Sequence, residues 1–372
     1  MNKIKILFLI HDLGQGGAEK VLVNLVNHMD LNKFDITIIS LFGGGINEQF
    51  LNDRINYRYI FKKSFPGNTK FLKLFSPEFL HKIIVKKFYD IEVSFLEGPC
   101  SRIISGCTNN SKKISWIHVQ QGNIKIAKSS FRSEKECKLS YSKFDKIICV
   151  SEFVKQDFSN IFGNSNNIEV LYNTVDSEDI IQKSKCSTDI IDNDSFSICG
   201  VGSLKKSKGF DRLIRIHKKL IDSGLNVKTY ILGKGPEKSN LQKYIKQLGI
   251  EDSFKLLGYD TNPYKFISRC DLFVCTSFAE GFSTATSEAL ILGTPVCTVE
   301  VSGMREMLGN NEYGIITNNN ENELYKALYN LINDTNLYNH YKEKALERGI
   351  MFNTQETVNK VEKMLLEINS KL

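Results

Sequence analysis

The stretch DLFVCTSFAEGFSTATSEALILGTPVCTV, residues 271–299, decides the fold. It opens on a short apolar run, LFVC, of strand length and composition. It then turns through Ser, Ala, Glu and Gly, enters an apolar segment ending at Gly293, and starts a β-branched run after Pro295. Strand, loop, helix, strand is the repeating unit of a parallel sheet with helical crossovers. Glu280 stands on the glycine turn and Glu288 eight positions later, with Phe282, Ser283 and Thr284 between them. A helix starting near Ser283 or Thr284 places Glu288 in its second turn. It also turns the N–H groups of 282–284 toward the mouth, where they can hold a phosphate. A carboxylate accepts hydrogen bonds from two vicinal hydroxyls at once, which is how a ribose or hexose is gripped.

The alternation extends outward from this unit. KIKILFLI, DITIISL, IEVSFL, KISWIHV, DKIICV and IEVLYN are separated by amphipathic segments in the first half. SFSICGVG, NVKTYILG, SFKLLG, DLFVCTS and PVCTVE follow in the second. Between them the polar stretch 174–195 reads as an interdomain linker. A chain of 372 residues suits two domains of about 150–200 residues each. The expected fold is α/β: two Rossmann-like, doubly wound domains facing each other across a cleft, over residues 1–175 and 196–353, with 176–195 as linker. In such sheets ligands bind at the C-terminal ends of the strands, so the loops that follow them are where chemistry is expected.

Composition excludes several classes. Hydrophobic residues at 41% and charged residues at 24% are those of a soluble globular protein, and no apolar run reaches the roughly 18 residues that span a bilayer. The opening MNKIKILFLIHDLG has lysines before an apolar run, but that run is only ILFLI, and the polar HDLGQGG follows where a cleavage site would stand. It reads as a first strand, and a cytoplasmic protein is expected. The nine cysteines form no CxxC pair, and Cys149, Cys199, Cys275 and Cys297 lie in strand-like runs, which points to buried reduced thiols rather than disulfides or a zinc site. The net charge of +7 is uneven: residues 1–150 carry 23 Lys and Arg against 13 Asp and Glu. An anionic partner is expected on that half.

Four more loops carry candidate residues. In HDLGQGGAEK, Gly14, Gly16 and Gly17 permit close backbone approach at a helix start, but the third glycine of a dinucleotide fingerprint is missing and the second strand lacks the acid for a ribose. ISWIHV ends at His118. VGSLKKSKGFDRLI gathers Lys205, Lys206 and Lys208 before a helix, a good diphosphate site or a solvated basic turn. LGKGPEKSNL repeats the pattern with Gly233 and Gly235 around Lys234. The DxD at Asp192-Asn193-Asp194 falls in the linker rather than at a strand end, and no metal is expected to take part.

With EGFSTATSEALILGTPVC, VGSLKKSKGFDRLI, LGKGP, VSEFVK and SGMREMLGNNEYGIIT in place, the chain resembles the retaining glycosyltransferases of family 4, of the GT-B fold, over nearly its full length. It is also similar to enzymes of bacterial capsular and exopolysaccharide synthesis. The resemblance implies a nucleotide-sugar, most commonly a UDP-sugar, held mainly by the second domain. Glu288 would grip the ribose, Glu280 the transferred sugar, and the amides of Phe282, Ser283 and Thr284 the phosphates or sugar. Lys208 would neutralise the diphosphate, Gly16 and Gly17 would close over it, and His118 would contact the donor sugar near the reaction centre. The helix over 354–372 would cross back onto the first domain. One departure stands out: where the family has Arg in G-R-L-x-x-x-K, this chain has Ser203. Lys205 or Lys206 is expected to replace that Arg; without replacement, a non-catalytic partner subunit is the alternative, and an inverting GT-B transferase is another.

The acceptor side is read from charge. Residues 61–90 hold seven lysines interleaved with Phe71, Leu72, Leu74, Phe75, Phe79, Leu80, Ile83 and Ile84, a basic amphipathic surface suited to an anionic membrane. A peripheral enzyme on the inner face of the membrane, acting on a growing glycan linked to lipid diphosphate, is the expectation; nucleic acid is not, since no binding module is present. A second basic run, 125–146, is expected to form a loop over the acceptor mouth, with Glu97 at a strand end beside it.

Overall fold

The structure is a computed structural model and describes residues 3–191 and 194–370. The chain divides into two units, Met1–Thr174 with Thr354–Leu372, and Val175–Asn353.

The first unit is built on seven parallel strands: β1 (Ile4–Ile10), β2 (Phe34–Phe42), β3 (Asn56–Phe61), β4 (Ile91–Ser94), β5 (Lys112–Ile117), β6 (Lys146–Cys149) and β7 (Ile168–Val170), in the order β3-β2-β1-β4-β5-β6-β7. Ile6–Ile10 of β1 have no exposed surface, because a central parallel strand is covered on both faces and must be apolar throughout. The second unit has β8 (Phe196–Val201), β9 (Val227–Leu232), β10 (Phe254–Gly258), β11 (Leu272–Cys275), β12 (Val296–Val299) and β13 (Ile315–Thr317), in the order β10-β9-β8-β11-β12-β13. Both orders reverse direction beside the first strand of the unit, between β1 and β4 and between β8 and β11. The loops leaving these strands therefore diverge and open a crevice at the C-terminal edge.

Helices cover the sheets through apolar stripes. In Phe210–Asp222, the buried positions Phe210, Leu213, Ile214, His217 and Leu220 fall on one face at helical spacing. Burying each apolar side chain there contributes about 1.5–3 kcal/mol. His217 is tolerated in this stripe because Thr229 Oγ1 at 2.9 Å and Ser253 Oγ at 2.8 Å meet its two ring nitrogens. Burial pushes its pKa down to about 4, so it sits there uncharged.

Two segments differ from their expected form. The stretch 176–195 contains a helix, Ser177–Ser184, capped by Asp176 and anchored by buried Ile180 against the second unit. Its polar composition belongs to the exposed face of a packed helix. Asp192 and Asn193 of the DxD lie outside the described residues. The basic run 125–146 is likewise helical, over Ile124–Ala127 and Glu134–Tyr141, with Cys137 and Tyr141 buried. The last helix, Thr354–Asn369, packs on Gly17–His28 in the first unit, where Glu362 Oε1 accepts the Asp30 amide at 2.6 Å.

Candidate active site

In the second unit, the loops after β8 and β11 flank the point where strand order reverses, and they are stitched together. Thr276 Oγ1 donates to the Lys208 carbonyl at 2.8 Å, and the Phe278 amide donates to the Ser207 carbonyl at 2.8 Å. Gly209, at φ +64°, makes this approach possible, since a Cβ there would lie 2.2 Å from the Thr276 carbonyl oxygen. On that frame Lys208 Nζ meets Glu280 Oε1 at 2.5 Å, and Ser277 Oγ donates to the same oxygen at 2.5 Å.

The helix Thr284–Ile291 begins beside this pair. Ser283 is its N-cap and its hydroxyl accepts the Thr286 amide at 3.3 Å. Capping directs the remaining first-turn N–H groups out of the helix end, the arrangement that receives an anion. Phe282 and Ser283 are buried, Thr284 is half-buried, and Glu288 is buried in the second turn with Tyr264 Oη donating to it at 3.5 Å. Burial and the Glu288 carboxylate drive the Tyr264 phenol far above its ordinary pKa, which keeps it a hydrogen-bond donor. The loop after β12 closes from below: Ser302 Oγ donates to the Gly281 carbonyl at 3.1 Å.

Lys205 and Lys206 are exposed in the same β8 loop, and the Ser203 carbonyl accepts the Lys205 amide at 2.7 Å. Gly233 has a packing reason: with φ +150°, it abuts the Gly202 carbonyl so closely that a Cβ would fall 1.9 Å from the oxygen. The loops after β8 and β9 thus touch through backbone. Sequence reasoning missed Arg212. Its buried guanidinium donates to the Thr276 carbonyl at 2.7 Å, the Ser277 carbonyl at 2.9 Å and Asn319 Oδ1 at 2.7 Å, and it stacks on Phe278 at 4.2 Å. It holds the loop that carries Glu280, and its only sequence signal is a basic residue on the apolar side of an amphipathic helix.

In the first unit, Gly16 caps the helix Gly17–His28 after β1. A Cβ on Gly16 would lie 2.1 Å from Glu19 Oε2, so the helix's own carboxylate folds over this end. His118 follows β5 and is buried, its ring 4.7 Å from that of Phe95. Half-buried Glu97, which follows β4, accepts the His118 backbone amide at 3.0 Å. Burial pushes the His118 pKa down to about 3, so the imidazole is neutral near pH 7, and its Nε2 has no hydrogen-bond partner among the described residues. An orphaned nitrogen of this kind is suited to a polar ligand atom. Lys208, Glu280, Phe282, Ser283, Thr284 and Glu288 are thus brought to one edge of the second unit, and Gly16, Gly17 and His118 to the corresponding edge of the first.

Two sheets wound in this order, with these loops at their switch points, define the GT-B class of glycosyltransferase. Residues 187–348 match the model described as "Glycosyl transferases group 1", and residues 15–179 match "Glycosyltransferase Family 4". The chain is 32% identical over 370 residues to a Campylobacter jejuni enzyme, covering 97% of this chain and 99% of that one. That enzyme is named N-acetylgalactosamine-N,N'-diacetylbacillosaminyl-diphospho-undecaprenol 4-alpha-N-acetylgalactosaminyltransferase. The chain belongs to glycosyltransferase family 4 and is a glycosyltransferase. It is also 26% identical to the Staphylococcus aureus poly(ribitol-phosphate) alpha-N-acetylglucosaminyltransferase, over 84% of this chain and 61% of that one. Among solved structures it superposes on Anabaena HepE in complex with UDP and glucose with a TM-score of 0.77 and 19% identity, covering 98% of this chain and 100% of that one. That likeness is one of fold.

Proposed function

We propose that the chain transfers a hexose or N-acetylhexosamine from a nucleotide-sugar, a UDP-sugar by preference, to a lipid-linked glycan, with retention of anomeric configuration and without a catalytic metal. The observation that carries this reading is the clustering after β8 and β11: a capped helix end, an ammonium beside it, one carboxylate in the mouth and one in the second turn. Departure of a nucleoside diphosphate from C1 places growing negative charge on the β-phosphate. Lys208 and the helix N-terminus meet that charge with donors already oriented, which is how such sites lower a barrier. Glu288 takes the ribose hydroxyls and Glu280 the transferred sugar. Gly16, Gly17 and His118 are the first unit's proposed contributions to donor binding, and the acceptor hydroxyl attacks from the face that the diphosphate leaves.

The acceptor reading has two supports. The Campylobacter relative is named for a diphospho-undecaprenol glycan. Phe71, Leu74, Phe79, Ile83 and Phe88 are exposed among lysines on the segment 62–88, an apolar and basic surface suited to anionic lipid at the cytoplasmic face. Among the described residues no helix is long and apolar enough to cross a membrane. The test is nucleoside diphosphate release across UDP-, GDP- and ADP-sugars, with and without membrane lipid extract, followed by the anomeric configuration of the product. Release from a UDP-sugar that requires the extract and retains configuration supports the proposal. Release only from another nucleotide, or inversion, overturns the corresponding part.

A further inference from the structure

The first unit holds a second convergence of reactive side chains, at the edge of its sheet opposite the loops that carry Gly16 and His118. Glu92 is the second residue of β4, fully buried between Leu7 of β1 and Lys113 of β5 in register. A carboxylate in that place costs several kcal/mol unless its charge is met. His81 Nε2, from the helix Pro77–Ile84, lies 2.6 Å from Glu92 Oε2. Cys107 Sγ, from the loop after helix Pro99–Ile104, lies 3.7 Å from Glu92 Oε1. The three ligand atoms all fall within 4.8 Å of one another. A plain ion pair would need only His81 and Glu92; the sulfur completes a three-sided set drawn from three separate elements.

We propose that His81, Glu92 and Cys107 bind a zinc ion, with water in the fourth position on the half-buried Cys107 side. Zinc bonds of about 2.0–2.3 Å in a tetrahedron set the ligand atoms roughly 3.3–3.8 Å apart. Sulfur lies 3.7 Å from Oε1 and His81 Nε2 2.6 Å from Oε2, so the carboxylate turns to present one oxygen to the ion, and the His81–Glu92 contact opens by about 1 Å as the ion takes the place of the proton they share. Thiolate and carboxylate together balance the charge of the divalent ion. A set of one N, one O and one S excludes magnesium and calcium, which take oxygen, and suits zinc. Lys113, the nearest register neighbour, reaches instead toward Asp145 Oδ2 at 4.0 Å and the Ser111 carbonyl at 3.4 Å. The Ser111 amide donates to Asn109 Oδ1 at 2.8 Å, which fixes the loop bearing the sulfur, and the thiol proton that Asn109 Oδ1 receives at 3.0 Å leaves when zinc binds. The ion clamps the helix Pro77–Ile84 to the sheet, apart from sugar transfer.

The test uses the full chain, stripped with a chelator and dialysed, then titrated with Co²⁺ alone and with Zn²⁺ in competition. One equivalent of Co²⁺ should give thiolate-to-cobalt charge-transfer absorption, Zn²⁺ should displace it, and Zn²⁺ should raise the Tm. Cys107→Ser, a nearly isosteric change at a half-buried position, should abolish the absorption and weaken zinc at least about tenfold. His81→Asn should weaken zinc likewise, while Cys186→Ser, at an exposed cysteine, should leave both signals intact. A charge-transfer band that persists in Cys107→Ser, or a wild-type Tm indifferent to zinc, overturns the proposal. Should His81→Asn fail to fold, the Cys107→Ser comparison decides alone.

Discussion

Replacing Lys208 with Met removes one charge while keeping the length of the side chain, and it isolates what the ammonium does. Lys208 Nζ stands 2.5 Å from Glu280 Oε1, with the two side chains 26% and 11% exposed. In the variant, Glu280 keeps its charge with the Ser277 hydroxyl as its described partner, beside the helix end where a diphosphate is proposed to sit. Two unit charges about 4 Å apart in an effective dielectric of about 20 interact by about 4 kcal/mol. The lost attraction between ammonium and leaving diphosphate is therefore expected to lower kcat/KM by about three decades. A second change, Glu280→Gln, separates two effects. In the Lys208→Met background it removes an uncompensated carboxylate, so nucleoside diphosphate binding should recover by about tenfold, roughly 1.4 kcal/mol. Turnover should stay lost, because the transferred sugar then lacks the carboxylate proposed to hold it. Calorimetric titration with the nucleoside diphosphate and a coupled release assay read the two quantities. Lys208→Met within about threefold of the parent in both assays would refute the reasoning. So would a coupling between the two sites below about 0.5 kcal/mol, since residues in direct contact should exceed it.

Glu288→Ala should raise donor KM about a hundredfold, since it removes charge-assisted hydrogen bonds of about 1.5–3 kcal/mol; steady-state kinetics on whichever donor the release panel selects checks it. His118, with a folded pKa of about 3 against an ordinary 6.5, binds its proton more readily in the unfolded chain. Its contribution is complete above pH 6.5 and is lost as pH falls toward 3, at up to about 1.4 kcal/mol per unit, so His118→Asn should flatten the stability profile between pH 6.5 and 4 in urea titrations. Arg102 is buried and donates to the Leu72 carbonyl at 3.0 Å, the Phe75 carbonyl at 2.7 Å and Glu136 Oε1 at 2.9 Å. Arg102→Ala should cost about 3–5 kcal/mol in denaturant unfolding, because it leaves those acceptors and the carboxylate without their charge.

What was legible in the sequence is what local chemistry determines. Continuous apolar runs such as Ile6–Ile10 mark strands covered on both faces, and the Ser283 cap marks a helix start to within a residue, because a hydroxyl three positions before an amide is a local device. Polar stretches were less legible. The segments 174–195 and 125–146 hold capped helices whose buried residues are few, Ile180 in one and Ala127, Cys137, Ser140 and Tyr141 in the other, too sparse for periodicity to separate from a loop. The supporting arginines were barely legible, Arg212 only as a basic residue in a buried helix stripe. Arg212 serves carbonyls at Thr276 and Ser277, and Arg102 serves carbonyls at Leu72 and Phe75; any residue can offer a carbonyl, so the partner leaves no mark in the sequence. The His81, Glu92 and Cys107 set escapes for a related reason. Metal motifs are recognised when their spacing is set by one turn or one helix face, whereas this spacing is set by how a helix and a loop pack onto β4. The loops proposed to be catalytic stand out because each follows a strand and carries its own signal; the groups that hold them in place are found only once the chain has folded.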